Sequence, residues 1–386
     1  MLSAFPSALA PSTLALAHSA RLVDLIAREI QRSGWITFAR YMDLALYAPG
    51  LGYYSGGSTK FGGAGDFVTA PEISPLFSQL LACQVAQVLR VTGGDVLELG
   101  AGSGRMAADV LASLDEMEQL PRRYLILEVS AELRARQQER LAELPHHLRE
   151  RVHWIDALPD TFSGVGLANE VLDALPTHVV AWEDEHIFER GVGCQNRTLV
   201  WEQRELAAGP LRTRALEIHA ASPYISEINL NAPALVRSLA AMLQQGVLLF
   251  IDYGFGAAEL YHPQRSQGTL MCHFRHRAHD DPFNLPGLQD ITSHVDFSAI
   301  AHAGVAAGMD LLGYTTQAQF LINLGITDLL AQTPATDVVT YAPLAGQAHK
   351  LLSPAEMGEL FKVIALARGV EPALQGFQAG DKSRLL

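Results

Sequence analysis

Val96-Leu-Glu-Leu-Gly-Ala-Gly-Ser-Gly104 is the stretch whose reading decides the fold. Val96, Leu97 and Leu99 suit a central parallel strand buried on both faces. Gly100, Gly102 and Gly104 then stand at every second position, where the missing Cβ lets the backbone turn sharply and approach a ligand. Arg105 to Leu114 has helical apolar spacing, so its first amides face the turn. Strand, glycine turn and helix together predict a nucleotide pocket. Gly102-Ser-Gly104-Arg-Met-Ala107 also matches the Gly-x-Gly-x-x-Ala form of a nicotinamide or flavin site, so the strands that follow must choose the cofactor.

Arg123-Tyr-Leu-Ile-Leu-Glu128 is a second buried strand, with an acid roughly 20 residues beyond the turn, the spacing of a ribose-binding carboxylate. Ala131 to Leu144 is an uninterrupted helix former. Val152-His-Trp-Ile-Asp156 is a third strand, Gly166-Leu-Ala-Asn-Glu170 a fourth and Gly246-Val-Leu-Leu-Phe-Ile-Asp-Tyr-Gly254 a fifth. The alternation implies an α/β fold: a parallel Rossmann-like sheet with helices on both faces and a ligand crevice at the carboxyl ends. With Glu98 included, Glu-x-Gly-x-Gly-x-Gly resembles motif I of the class I methyltransferases, whose cofactor S-adenosylmethionine lies over the glycines. Under that resemblance Glu98, Gly100, Gly102 and Gly104 bind the cofactor, Glu128 takes the ribose hydroxyls, Asp156 meets the adenine amino group and Asn169 touches the cofactor from the fourth strand. Acids at successive strand ends favour this cofactor over a hydride carrier.

Two regions lie outside these five strands. Residues 1–92 begin with a helix whose Leu22, Leu25, Ile26 and Ile30 share a face. They continue through a glycine-rich loop, Phe61-Gly-Gly-Ala-Gly-Asp-Phe-Val-Thr-Ala-Pro-Glu-Ile-Ser74, shaped for a ligand or lid and offering Asp66 and Thr69 to the cofactor. Pro75 to Arg90 reads as the helix after it. The core is expected over 93–173 and 246–386, interrupted at 174–245 by an inserted lobe. There Val179-Val-Ala-Trp182, His186-Ile-Phe188 and Thr198-Leu-Val-Trp201 predict an antiparallel meander, followed by a helix over 231–245. An insertion at this point of the sheet is the natural substrate reader.

The chain has 386 residues, 49% hydrophobic, with a formal charge of −13. That is enough for a full core and a second lobe. An acidic total without a basic stripe argues against nucleic acid and permits a basic protein substrate. Cys83, Cys194 and Cys272 are odd in number and scattered, which implies a reducing compartment with neither disulfide framework nor thiolate metal site. No apolar run reaches the ~18 residues of a membrane span. The Ser-, Ala- and Leu-rich start is read as a frayed terminus, and the expectation is a bacterial cytoplasmic protein, or a mitochondrial matrix one if the source is eukaryotic.

Gly65-Asp-Phe-Val-Thr-Ala-Pro-Glu-Ile-Ser74, Leu97-Glu-Leu-Gly-Ala-Gly-Ser-Gly104, Ala168-Asn-Glu-Val-Leu-Asp-Ala-Leu-Pro176 and Asp290-Ile-Thr-Ser-His-Val-Asp-Phe297 together resemble the MidA-like family. Ile251-Asp-Tyr-Gly254, Arg265-Ser-Gln-Gly-Thr-Leu-Met271 and Met357-Gly-Glu-Leu-Phe-Lys-Val363 extend the likeness over residues 20–370. Eukaryotic members of that family are mitochondrial complex I assembly factors. The resemblance implies an S-adenosylmethionine-dependent protein arginine methyltransferase that forms symmetric dimethylarginine on a complex I peripheral-arm subunit.

Methyl transfer to arginine needs a nucleophile held in line with the methyl group. A guanidinium attacks poorly while its charge is delocalised, and carboxylates that bond it localise the charge. Glu170 and Asp173, three apart on an expected helical turn, are candidates for one shared face. Residues 255–296 read as a long ordered loop over the pocket, crowded with Arg265, His273, His276, His279, Asp290, His294 and Asp296. His294 is assigned to the substrate side, catalytic with Glu170 and Asp173; Tyr253, Arg265 and Asp296 serve the loop, with Asp296 alternatively capping a helix over 297–307. The histidine spacing argues against a metal site. The alternatives are a small-molecule methyltransferase, which an enclosed pocket rather than an open groove beside the fourth strand would indicate, and a non-catalytic assembly chaperone that retains the fold.

Overall fold

The computed structural model describes residues 11–56, 68–220, 222–371 and 373–386. The chain divides into two compact units, one of Val68–Leu172, Pro233–Ala257 and Val295–Leu386, the other of Met1–Phe67, Asp173–Ala232 and Ala258–His294. The N-terminal region and the insertion thus join in one unit with residues 258–294, which were expected within the core, and the helix after the glycine-rich loop belongs with the sheet.

The larger unit is built on strands β1 (Asp95–Leu99), β2 (Tyr124–Leu127), β3 (Val152–Ile155), β4 (Phe162–Asn169), β5 (Leu243–Phe255), β6 (Asp310–Thr316) and β7 (Phe361–Arg368). Their order across the sheet is β3-β2-β1-β4-β5-β7-β6. The first five run parallel, whereas β7 is antiparallel to both β5 and β6. The order reverses between β1 and β4, so a crevice opens beyond their carboxyl ends. All five strands read from the sequence are present; β6 and β7 are additions. Residues 361–367 are buried throughout, apolar apart from Lys362, so alternation does not reveal the strand.

Helices α1 (Ala70–Ile73), α2 (Pro75–Thr92), α3 (Arg105–Glu116) and α4 (Ala131–Leu141) follow the turns of this unit. Ser74 and Ser130 accept the amides of Leu76 and Leu133 and so cap α2 and α4. Val247, Leu249 and Ile251 pack with α2 and α3 on one face. Leu248 and Phe250, equally buried, point to the opposite face by the alternation of a strand. There α5 (Phe297–Ala306) brings the backbone of Gly304 against Leu366. Helices therefore cover both faces.

The second unit opens with the helix Thr13–Ser33, which buries Leu22, Ile26 and Ile30. Its sheet joins Ile36–Thr37, His178–Glu183, His186–Gln195, Thr198–Glu205 and Tyr224–Ile228, every pairing antiparallel. The expected meander is its middle, extended by two strands. Residues 258–294 are not one long loop: Met271–Phe274 pairs antiparallel with both Arg277–His279 and Asp290–Thr292. One apolar cluster joins Leu22, Phe38 and Tyr41 to Val179, Val192, Cys272 and Ile291, which draws the three chain segments together.

Gly164 on β4 has φ +135°, and a Cβ there would lie 1.9 Å from the Asp95 carbonyl oxygen of β1. Gly164→Ala is therefore expected to cost at least about 4 kcal/mol of stability. A denaturant midpoint unchanged from the parent would show that the two strands part freely.

Candidate functional site

β1 delivers the chain into a turn in which Gly100, Gly102 and Gly104 all adopt the left-handed region, at φ +61°, +53° and +79°. A side chain is strained at each of these positions. Gly104 caps α3, and a Cβ on it would stand 3.3 Å from the Cα of Gln137 on α4. The glycines thus serve both backbone curvature and the close seating of the turn on the next helix.

Beneath the turn the strand-end acids take different partners. Glu128 directly follows β2, and its carboxylate accepts the Ser130 amide at 2.9 Å and Nε2 of Gln137 at 2.9 Å. Gln137 Nε2 also donates to the Gly102 carbonyl at 3.0 Å, and its Oε1 accepts from the Trp154 indole at 3.0 Å. Asp156, assigned to the adenine from the sequence, is 86% exposed and ion-paired with Arg134 at 2.6 Å. Glu98 is buried, accepting from the Tyr124 hydroxyl at 2.6 Å. Burial pushes its carboxyl up to about 7; the Tyr124 bond opposes the shift and the Glu128 charge adds to it.

The exit of β4 is held as firmly. Glu170 has φ +53°, an uncommon conformation for a residue with a side chain. Its amide donates to the Ile251 carbonyl, and its Oε1 accepts from the Asn169 amide nitrogen at 3.0 Å and the Ala70 backbone N–H at 3.4 Å. Asp252, 1% exposed, accepts the amides of Val171 at 3.2 Å and Leu172 at 2.9 Å. Residues 170–175 consequently form bends and turns, and the helical turn expected to align Glu170 with Asp173 is absent. Asn169 Oδ1 is buried and accepts no hydrogen bond among the described residues. Thr69 precedes α1, and Glu72 of α1 accepts from Ser103 in the glycine turn, tying that segment to the turn. Asp66 lies outside the described residues.

Asp173 belongs to the second unit, where it is buried and its carbonyl accepts the Ser293 amide at 3.1 Å. Asp290, also buried, accepts the Tyr54 hydroxyl at 3.0 Å, and Tyr47 stacks on Tyr54. Burial raises the Tyr54 hydroxyl well above its ordinary value, and the charges of Asp290 and Asp173 add to that. The backbone amide of His294 donates to Thr269 Oγ1, while the Thr269 amide and hydroxyl donate to the buried carboxylate of Glu227. Arg265 donates to the Glu259 carbonyl. Two residues assigned to the substrate loop have places that the sequence also offered, the fifth strand and a helix cap. Tyr253 is a strand residue of β5 stacked edge-on against Phe361, and Asp296 caps α5 by accepting the Ala299 amide. Among the described residues, no group of three or more His, Cys, Asp or Glu is placed to hold a metal ion.

Gln137, Tyr124, Asp252, Glu72 and Glu227 escaped the sequence reading. Asp252 alone carried a signal, as the acid near the end of the fifth strand; the others act through partners far away in sequence.

Glu98 yields a pH test. Its folded-state carboxyl titrates near 7 against an ordinary value of 4.5, so its contribution to stability is complete below about 4.5 and is lost as pH rises toward 7. Glu98→Gln cannot titrate. The melting temperature of the variant relative to the parent should rise between pH 5 and pH 8; a constant difference would place Glu98 in a water-like setting. Asp252→Ala removes the carboxylate that accepts the Val171, Leu172 and Tyr253 amides and should lower stability by about 2–5 kcal/mol, read from denaturant unfolding. A loss under 1 kcal/mol would show that water replaces the carboxylate at no cost.

A family model of S-adenosyl-L-methionine-dependent methyltransferases matches residues 80–315. The human mitochondrial protein arginine methyltransferase NDUFAF7 is 28% identical, over 88% of this chain and 81% of its own length. Its Drosophila melanogaster homolog is also 28% identical, over 90% of this chain and 85% of its own. A Burkholderia thailandensis structure bound to S-adenosyl-homocysteine is 50% identical, with a TM-score of 0.95, over 99% of this chain and all of that one. The hydride-carrier reading of Gly102–Ala107 falls to these matches. The residues present suit the sulfonium cofactor: a turn with three glycines in the left-handed region, a carboxylate fixed after β2, and the buried acceptor Asn169 Oδ1 at the end of β4. The chain belongs to this family of S-adenosyl-L-methionine-dependent methyltransferases.

Proposed function

We propose that this enzyme methylates arginine on a protein, forming symmetric dimethylarginine, and that its target is a subunit of respiratory complex I. The observation that carries the reading is Glu170, whose left-handed backbone sets a carboxylate at the end of β4. Such strain costs of order 1–3 kcal/mol and persists where the surroundings over-determine it, as Asp252 and the Ile251 carbonyl do here. The relatives named protein arginine methyltransferases support the choice of nucleophile. The resemblance over residues 20–370 supports complex I.

In this reading Gly100, Gly102, Gly104, Glu128, Asn169 and Thr69 hold the cofactor, which when bound supplies an electrophilic methyl group. Glu170 receives the guanidinium. The Asn169 and Ala70 donors stabilise its negative charge and fix its orientation. Localising the guanidinium charge on the bonded nitrogens leaves another nitrogen richer in electrons to attack the methyl carbon. Transfer would form the C–N bond as the methyl–sulfur bond breaks, leaving the neutral thioether S-adenosylhomocysteine, and the proton lost from the attacking nitrogen would pass to water. Asp173 and His294 are assigned to the substrate side.

A formal charge of −13 supports a basic protein as partner and argues against nucleic acid. Free Cys83, Cys194 and Cys272 support a reducing compartment, which we take to be the cytoplasm. No helix among the described residues is long and apolar enough to cross a membrane.

Glu170→Gln keeps the size and removes the charge. Isotope-labelled methyl incorporation into arginine of a complex I subunit should fall roughly thirtyfold to a thousandfold, equal to ~2–4 kcal/mol, with cofactor affinity retained. Unchanged turnover would remove Glu170 from the mechanism, and lost cofactor affinity would move it to the cofactor site. Gly102→Val should weaken S-adenosylhomocysteine binding at least about tenfold by calorimetry, because a branched side chain is strained at φ +53°. Equal affinity would displace the cofactor from this turn.

A further inference from the structure

Gln137 projects from α4, is fully buried and sits among groups that reach it from three segments. Its carboxamide is used on both sides. Nε2 donates to the Gly102 carbonyl in the glycine turn and to Glu128 Oε2 after β2, while Oε1 accepts from Trp154 on β3. Only a carboxamide offers two donors and an acceptor in one plane. Its orientation is settled by the partners: flipped, the NH2 would face an indole donor and the oxygen would face a carbonyl and a carboxylate. A carboxylate in its place would meet Glu128 at 2.9 Å with like charge.

We propose that Gln137 is the positioning residue of the cofactor site: it locks the glycine turn and Glu128 into one geometry, so that the backbone of the turn and the ribose-binding carboxylate arrive pre-arranged. It acts through these groups and touches no reacting atom. The sequence separations are 35, 9 and 17 residues, so no local structure supplies the same tie. Trp154 completes the lock by orienting the amide, and the Gly104 backbone seats directly on the Gln137 Cα. The proposal rests on Glu128 as the ribose ligand.

S-adenosylhomocysteine titrated calorimetrically into the full chain tests it, with affinity expressed per folded molecule. Gln137→Met fills the space without any hydrogen bond and should weaken binding about tenfold at pH 6 and at pH 8 alike. Gln137→Glu should bind at least tenfold more weakly at pH 8, where two carboxylates face each other, and recover at least threefold at pH 6, where a shared proton restores one bond. A residue that only filled the core would lower the melting temperature of both variants without giving this pH dependence. Wild-type affinity in the folded fraction of Gln137→Met, or a Gln137→Glu affinity that does not recover at pH 6, would overturn the proposal. Glu128→Gln, measured alongside, tests the underlying reading separately: unchanged affinity there removes Glu128 from the ribose, whatever Gln137 does.

Discussion

The carboxylate of Asp252 sits 1% exposed near the end of β5, with the amides of Val171 and Leu172 on one oxygen and its own following amide, Tyr253, on the other. Much of the site depends on it. Where β4 ends inside the sheet, the chain turns away without a ladder, and buried N–H groups left unpaired there cost about 1–3 kcal/mol each. A charged acceptor takes two of them at once, more strongly than a neutral side chain. With those amides captured, residues after Glu170 do not wind into a helix, and Glu170 stays in its left-handed conformation. The parallel register running from Gly246 opposite Gly164 to Ile251 opposite Asn169 puts Asp252 one step beyond the last pair. Sheet register is thus converted into the position of a single carboxylate.

Acid–donor ties recur under the glycine turn, around the buried Glu98 and the half-buried Glu128 and Glu72. Glu98 is paired by Tyr124 from the adjacent strand, Glu128 by Gln137 from a helix, and Glu72 of α1 by Ser103 of the turn. In each case an acid on one segment meets a donor on another, so the tie orders two pieces of chain together. For the buried Glu98–Tyr124 pair the low dielectric makes such a bond costly when incomplete and rigid when satisfied. A site arranged this way presents its ligand-binding atoms with little reorganisation left to perform.

The parts of the fold legible in the sequence were those with a short period or a strict backbone demand. Glycines at every second position after an apolar strand, acids at strand ends, and helical spacing from Arg105 and Ala131 are all local signals. β7 was hidden because a strand buried on both faces lacks alternation. The sheet within residues 258–294 was hidden for a different reason. Its hairpin turns at Arg275 and His276, both at positive φ, residues that do not announce a tight turn as Asn-Gly does. Asn196-Arg197 makes a similar turn in the meander, where the flanking alternation had already signalled the strands.

By itself the sequence determined the cofactor fold, because the glycine turn is a constraint on backbone dihedrals that few other residue patterns satisfy. It also placed acids at the ends of the strands. Only the tertiary structure decided what each acid does. Asp156 turns to Arg134 and solvent, Glu98 is sealed beneath Tyr124, Glu128 is held by Gln137, and Asp252 captures the amides that shape Glu170. The physical reason is the range of the interaction. Backbone conformation is chosen by neighbours in sequence, whereas the direction and charge of a buried carboxylate are set by the donors around it. The Tyr124 hydroxyl reaches Glu98 from 26 residues away, and the Leu172 amide reaches Asp252 from 80.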